Sequence, residues 1–199
     1  MRNKLVCGHH RGSVYLCNLI LCCVASLVLC TFATVPGICV GLPLLGGFEM
    51  GQTRAILFFA GVYTLSLAWT ALLTFLTMLI SNHRTISAVA PMFLSLTLLV
   101  AGTYLDGRLQ SEPTIHGHML SVDGEIVRTE EDIPNPSYIP EGPVRDMLQF
   151  LSDFSPGGQT VQHVNQAVAQ PVKLMIYDAA LFVIATGAGM ALFRRKDLK

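Results

Sequence analysis

The 199-residue chain is 52% hydrophobic and only 13% charged, where an ordinary soluble domain carries about a quarter charged residues. Its formal net charge is +0, so no basic field invites nucleic acid, and no nucleic-acid motif occurs. Charge this sparse, set between long uncharged runs, argues against a globular domain and predicts an all-α, multi-span transmembrane helix bundle with four spans.

Residues 1–13, MRNKLVCGHHRGS, make a short basic segment with Arg2, Lys4 and Arg11, interrupted by Gly8 and Gly12. A first span is expected over 14–35, with Ser13 as its candidate cap and Pro36-Gly37 as its end. That run is longer than the apolar part of a secretory signal, so it reads as a retained span. Cys7, Cys17, Cys22, Cys23, Cys30 and Cys39 all fall in this first fifth, mostly inside the apolar run. Cysteine there packs as a small hydrophobe, and the spacing fits neither zinc binding nor a disulfide framework. A short loop over 42–54 holds Gly46, Gly47, Glu49 and Arg54, and a second span lies within 55–80. After the tight connection Ser81-Asn82-His83-Arg84, a third span covers 86–105, with Thr85 or Ser87 as its cap. Pro91 sits in its first turns, where neighbouring helices can satisfy the freed carbonyl, and Asp106-Gly107 closes it.

From 106 to 172 the chain turns polar, acidic and proline-rich. Leu120 and Val122, then Asp123-Gly124, then Ile126 predict a small hairpin with a type I′ turn. PVRDMLQFLSDF opens on Pro143 at a first helical position, sets Val144, Met147, Leu148, Leu151 and Phe154 on one face, and stops at Pro156. A weaker amphipathic stretch follows over 160–169. Such helices suit the membrane surface, the mouth of a bundle or a separately packed cap. The closing segment, 173–199, holds a last span over 174–193 and a basic tail. Its small residues, Ala185, Gly187, Ala188, Gly189 and Ala191, let another helix approach closely. Arg2, Lys4, Arg11, Arg84, Arg194, Arg195, Lys196 and Lys199 all flank one side of such a topology. The positive-inside rule then places both termini in the cytosol and 106–172 outside the cell.

Few residues suggest chemistry. Asp178 is the one acid within the last apolar stretch, and an intramembrane carboxylate is a functional candidate, for the pathway or for helix pairing. Trp69, Tyr104 and Tyr177 read as packing or belt residues. His9-His10 with Cys7 lacks a distant fourth ligand for a metal cage, and His116 and His118 read as solvated. Ser152, Asp153 and His163 share one loop without anything like a nucleophile elbow, so no enzyme and no cofactor is expected. No G-x-x-x-x-G-K-[ST] occurs, so ATP hydrolysis would belong to another polypeptide.

Three stretches carry a family resemblance, in order along the chain. RNKLVCGHHRGSVYLCNLI resembles the segment before the third transmembrane helix in permease subunits of ABC-2 type transporters. NPSYIPEGPVRDMLQFLSDFSPGGQ, residues 135–159, resembles the external segment between the last two spans in one bacterial branch, and ALFRRKDLK resembles its common ending. The family has six spans and this sequence shows four, so the resemblance implies that the first two are lacking. It further implies a cytosolic ABC ATPase subunit docking on residues 1–13, a second permease subunit (homo- or heterodimer), and a bilayer around both. Lys4, His9, His10 and Arg11 are then the candidate ATPase-coupling residues. Read without the resemblance, they are positive-inside residues or bind anionic lipid head groups. The function implied is ATP-driven movement, in the export direction, of a substrate across the cell membrane. The alternatives are a membrane sensor or binding protein acting through 106–172, or a truncated remnant of a permease.

Overall fold

The computed structural model describes residues 11–46, 51–80, 84–115, 119–122, 125–128 and 132–195. In chain order these form α1 (Arg11–Leu45), α2 (Gln52–Leu79), α3 (Arg84–Leu109), β1 (Thr114–Ile115), β2 (Met119–Val122), β3 (Glu125–Arg128), β4 (Ile133–Pro134), α4 (Pro143–Phe154), α5 (Pro156–Val164) and α6 (Pro171–Arg195). Helices α1, α2, α3 and α6 are each long and apolar enough to cross a membrane. The shortest, α6 with 25 residues, extends about 37 Å at 1.5 Å per residue, beyond a hydrocarbon core of ~30 Å. The chain is an all-α, multi-pass membrane protein.

Each long helix overruns the span predicted from sequence. The largest correction is α1, which passes through Pro36 and continues through Pro43 to Leu45. A proline costs one hydrogen bond and some strain. A loop over 36–45, however, would bare a whole run of backbone in a stretch with no polar side chain to serve it, and in apolar surroundings helix is the cheaper state. The predicted loop therefore shrinks, and its edges are marked by Gly46 (φ 87) and Gly51 (φ 75), backbone conformations that glycine adopts freely. Ser13 lies inside α1 rather than capping it, and neither Thr85 nor Ser87 caps α3, which already includes Arg84. Helix α3 likewise passes Asp106-Gly107 and ends at Leu109.

Helix α2 is the shared wall, touching α1, α3, α5 and α6. Its buried residues are Ala55 and then, at three- and four-residue steps, Gly61, Leu65, Ala68, Ala71, Thr74 and Met78; most are small, which brings its neighbours close. At the end of the bundle opposite the polar loop, Tyr15 and Leu19 of α1, Ala71 and Met78 of α2, and Ala185 and Phe193 of α6 form an apolar cluster. Gly189 lies directly against the Tyr15 ring, while Gly187 meets nothing. Part of the small-residue stripe thus does what the sequence suggested.

The polar region contributes two antiparallel ribbons, β1 with β4 and β2 with β3. Val122 pairs with Glu125, as the hairpin reading expected, while the predicted type I′ turn at Asp123-Gly124 lies outside the described residues. The sequence offered the membrane surface, the mouth of the bundle or a separate cap for the two amphipathic segments, and the fold instead inserts them. Helices α4 and α5 form a hairpin wedged among the long helices rather than a separate cap. Gly157 sits against the Leu98 backbone, and a Cβ on Gly102 would come within 2.7 Å of the Gly157 backbone. Leu98 and Gly102 precede the end of α3 by eleven and seven residues, a depth of about 10–16 Å. The second helix also differs from its prediction, running from Pro156 to Val164 instead of over 160–169.

Helix α4 has its expected apolar face, but turned outward. Val144, Met147 and Leu151 are 66%, 63% and 41% exposed, whereas the polar Ser152 and Asp153 are buried. In water this would be inside out. Against lipid it is the favourable orientation, because the apolar face meets acyl chains and the polar edge meets protein.

Candidate functional site

The inserted hairpin brings three helices together around one carboxyl group. Around Asp178 of α6 stand Thr64 of α2 and Gln159 of α5, while His163, a turn further along α5, packs on Gly61 and Phe58 of α2. Glycine at position 61 is required by the approach of α5, since a Cβ there would lie 2.9 Å from His163 Nε2. The Phe58 ring, 5.1 Å from the imidazole between centroids, covers the same histidine. Asp178 and Gln159 are each 1% exposed and His163 8%.

The hydrogen-bond pattern at this junction is short of donors. Thr64 Oγ1 donates to Asp178 Oδ2 at 2.9 Å, yet the same hydroxyl lies 3.0 Å from the Gly61 carbonyl oxygen. A hydroxyl has one hydrogen and serves only one acceptor at a time. Gln159 Nε2 donates to the Asp153 carbonyl at 2.8 Å, and the Gln159 amide is also a polar neighbour of the Asp178 carboxyl. His163 Nδ1 lies 2.8 Å from the Gln159 carbonyl. A carbonyl only accepts, so Nδ1 carries the hydrogen, and Nε2 of the neutral ring is a bare lone pair. Burial holds the His163 imidazole below its ordinary value, against an opposing pull from the Gln159 carbonyl. Three buried acceptors, Asp178 Oδ1, Gln159 Oε1 and His163 Nε2, find no hydrogen-bond donor among the described residues.

The other two buried carboxylates of this region are fully served. Asp153 accepts from Gln149 (2.8 Å), Gln162 (3.0 Å) and Lys173 (2.8 Å). Asp106 accepts from Gln110 and from Asn165, both at 2.7 Å, which ties the end of α5 to the end of α3. Trp69 of α2 donates through Nε1 to Thr160 of α5 at 3.1 Å, so the chain's single tryptophan is a packing residue on the inserted helix. Tyr177 stacks its edges on Phe150 and Phe154 of α4, and Tyr104 faces outward under Arg108.

Of the site residues predicted from sequence, Asp178 stands at the centre of this junction. Lys4, His9 and His10 lie outside the described residues, as do Cys7, His116 and His118. Arg11 opens α1 at the far end of the bundle, where α1 meets the end of α6, so the structure does not bring it near Asp178. Ser152, Asp153 and His163 are all buried, but they hold the hairpin rather than form a relay: Ser152 accepts from Gln162, and Nδ1 of His163 pairs with the Gln159 backbone. Sequence reasoning missed Gln159 and Thr64 altogether. The available signal was glycine, with Gly61 and Gly102 in apolar runs and Gly157-Gly158 after Pro156. Among the described residues no group of three His, Cys, Asp or Glu side chains gathers as a metal site would require. Compared with protein-family models, with curated proteins and with solved structures, the chain matches none.

Proposed function

We propose that this chain is the permease subunit of an ABC-2 type transporter, moving a substrate across the cell membrane, in the export direction, on ATP hydrolysed by a separate subunit. The observation that supports it is a coincidence of two independent features. Residues 135–159, which resemble the external segment of such permeases, are the ones the fold wedges between the long helices as α4 and the start of α5. In this reading both termini are cytosolic, 106–172 is extracellular, and the α4–α5 hairpin enters the bundle from outside. Helix α1 is continuous from Arg11 to Leu45, so a push on its cytosolic start travels along a rigid rod. Lys4, His9, His10 and Arg11 make the ATPase contact, and a second permease subunit completes the path.

The test is gentle detergent extraction from the native membrane through a tag after Lys199, followed by mass spectrometry of what co-purifies. An ABC ATPase in the eluate is the expected result. Changing Lys4 and Arg11 together to alanine should remove that ATPase while membrane insertion stays intact. A chain that purifies without any ATPase overturns the transporter reading. ATPase association unchanged by the double substitution overturns the coupling assignment alone.

A further inference from the structure

The Asp178 junction has more acceptors than donors and one charge too many. A water molecule could supply donors but would leave a buried carboxylate uncompensated, which is expensive at membrane depth. The groups facing it do not supply a positive charge. Helix α2 offers the Thr64 hydroxyl and α5 the Gln159 amide, both uncharged, and His163 further along α5 is kept neutral by burial. From α4 comes Asp153, an acid already bound to Lys173, and on α6 itself Lys173 is committed to that pair while Tyr177 packs against rings of α4. One added proton removes the charge and supplies one of the missing donors.

We infer that the junction is a proton-binding site: the Asp178 carboxyl takes one proton from the aqueous phase, and this proton joins the Gln159 edge of α5, a helix seated on α3 and α2, to α6. The step forms one O–H bond, removes one negative charge, and needs no other reactant. The protonated carboxyl donates to one of the acceptors around it. If it donates to Thr64, that hydroxyl is free to give its own hydrogen to the Gly61 carbonyl, so both short contacts of Thr64 acquire a hydrogen. Loss of the proton leaves an uncompensated carboxylate beside Gln159, and that edge of α5 is released from α6. The inference concerns this junction alone and stands or falls independently of the transporter reading.

The experiment is infrared spectroscopy of the purified full-length chain in lipid nanodiscs, with carboxyl-labelled aspartate to isolate the aspartate C=O stretch. The expected result is a protonated-carboxyl band that persists at neutral pH and is lost in Asp178→Asn. The same band should shift in Thr64→Val, which removes its one hydroxyl donor. Trp69 emission, which reads the contact with Thr160, supplies a second measurement on the unaltered chain. It should change as pH rises past the disappearance of the band. In Asp178→Asn, whose amide supplies a permanent donor, that alkaline change should be absent. If Asp178→Asn fails to fold, coincidence of the two titrations in the unaltered chain carries the test. A folded chain with no protonated aspartate at neutral pH overturns the inference, as does a band that survives Asp178→Asn, or a Trp69 signal that titrates apart from it.

Discussion

Helix α6 is held at its two ends by opposite means. Near its end, Gly189 receives the ring of Tyr15, which is 0% exposed, and Phe193 packs beside it. Near its beginning, Asp178 is held by the Thr64 hydroxyl, lies beside the Gln159 amide, and leaves Oδ1 without a partner among the described residues. The first contact is steric and has no alternative state at ordinary pH. The second depends on how many hydrogens are present, so it can be changed without altering a single side chain. A membrane helix fastened firmly at one end and conditionally at the other can pivot at the conditional end.

Substitutions can break this contrast at either end. The largest effect is expected at the inserted hairpin, where Gly157→Val would drive a side chain into the Leu98 carbonyl. Backbone cannot yield there as a flexible side chain would, so a loss of about 3 kcal/mol is expected, read as a lowered unfolding midpoint together with altered Trp69 emission. Tyr15→Ala should cost roughly 2 kcal/mol by opening a cavity, less than in a soluble core because lipid is already apolar. Its signature is a lowered midpoint with Trp69 emission unchanged, since the two ends are separate. Lys173→Met removes one of the three donors on Asp153, but the lysine side chain is 40% exposed. Solvent screening limits its effect to about 1 kcal/mol, and hydrogen exchange in α4 would detect it.

The smallest effect is one of pH on His163. Its imidazole is held below the ordinary value when α5 is seated, so the released form binds the proton more readily. The His163 contribution to docking is therefore complete above the ordinary histidine value of about 6.5 and weakens as pH falls below it. Trp69 emission should show this acid limb in the unaltered chain and lose it in His163→Phe.

What was legible in the sequence followed from local pattern. Four apolar runs were readable by length, and Asp178 stood out because a lone acid in such a run has few innocent explanations. The outward apolar face of α4 was readable as a face but not as a direction. The same period serves a helix covered by protein and one covered by lipid, and only the position of Ser152 and Asp153 decides between them. The partners of Asp178 were not legible, because Thr64 lies 114 residues away, and no local rule joins a threonine in one helix to an acid in another. The length of α1 was misjudged for a different reason. Proline reads as a terminator by its habit in water, where a broken helix finds solvent to bond with; in apolar surroundings it finds none.

The overrun of α1 also has a mechanical meaning. Its 35 residues reach about 52 Å, and lodging all of that in a ~30 Å hydrocarbon layer would demand a tilt near 55°, steeper than the usual range of roughly 0–40°. Either the helix emerges into the head groups past Pro36 or the bilayer thickens around it. Beyond Thr31, which accepts a hydrogen bond from Tyr63 of α2, the large residues Phe32, Val35, Val40 and Leu44 are exposed. That half of the rod answers to the lipids instead of to the fold. Acyl-chain length thus becomes a control on the molecule, and short- or long-chain membranes should reposition the second half of α1 before they disturb anything else.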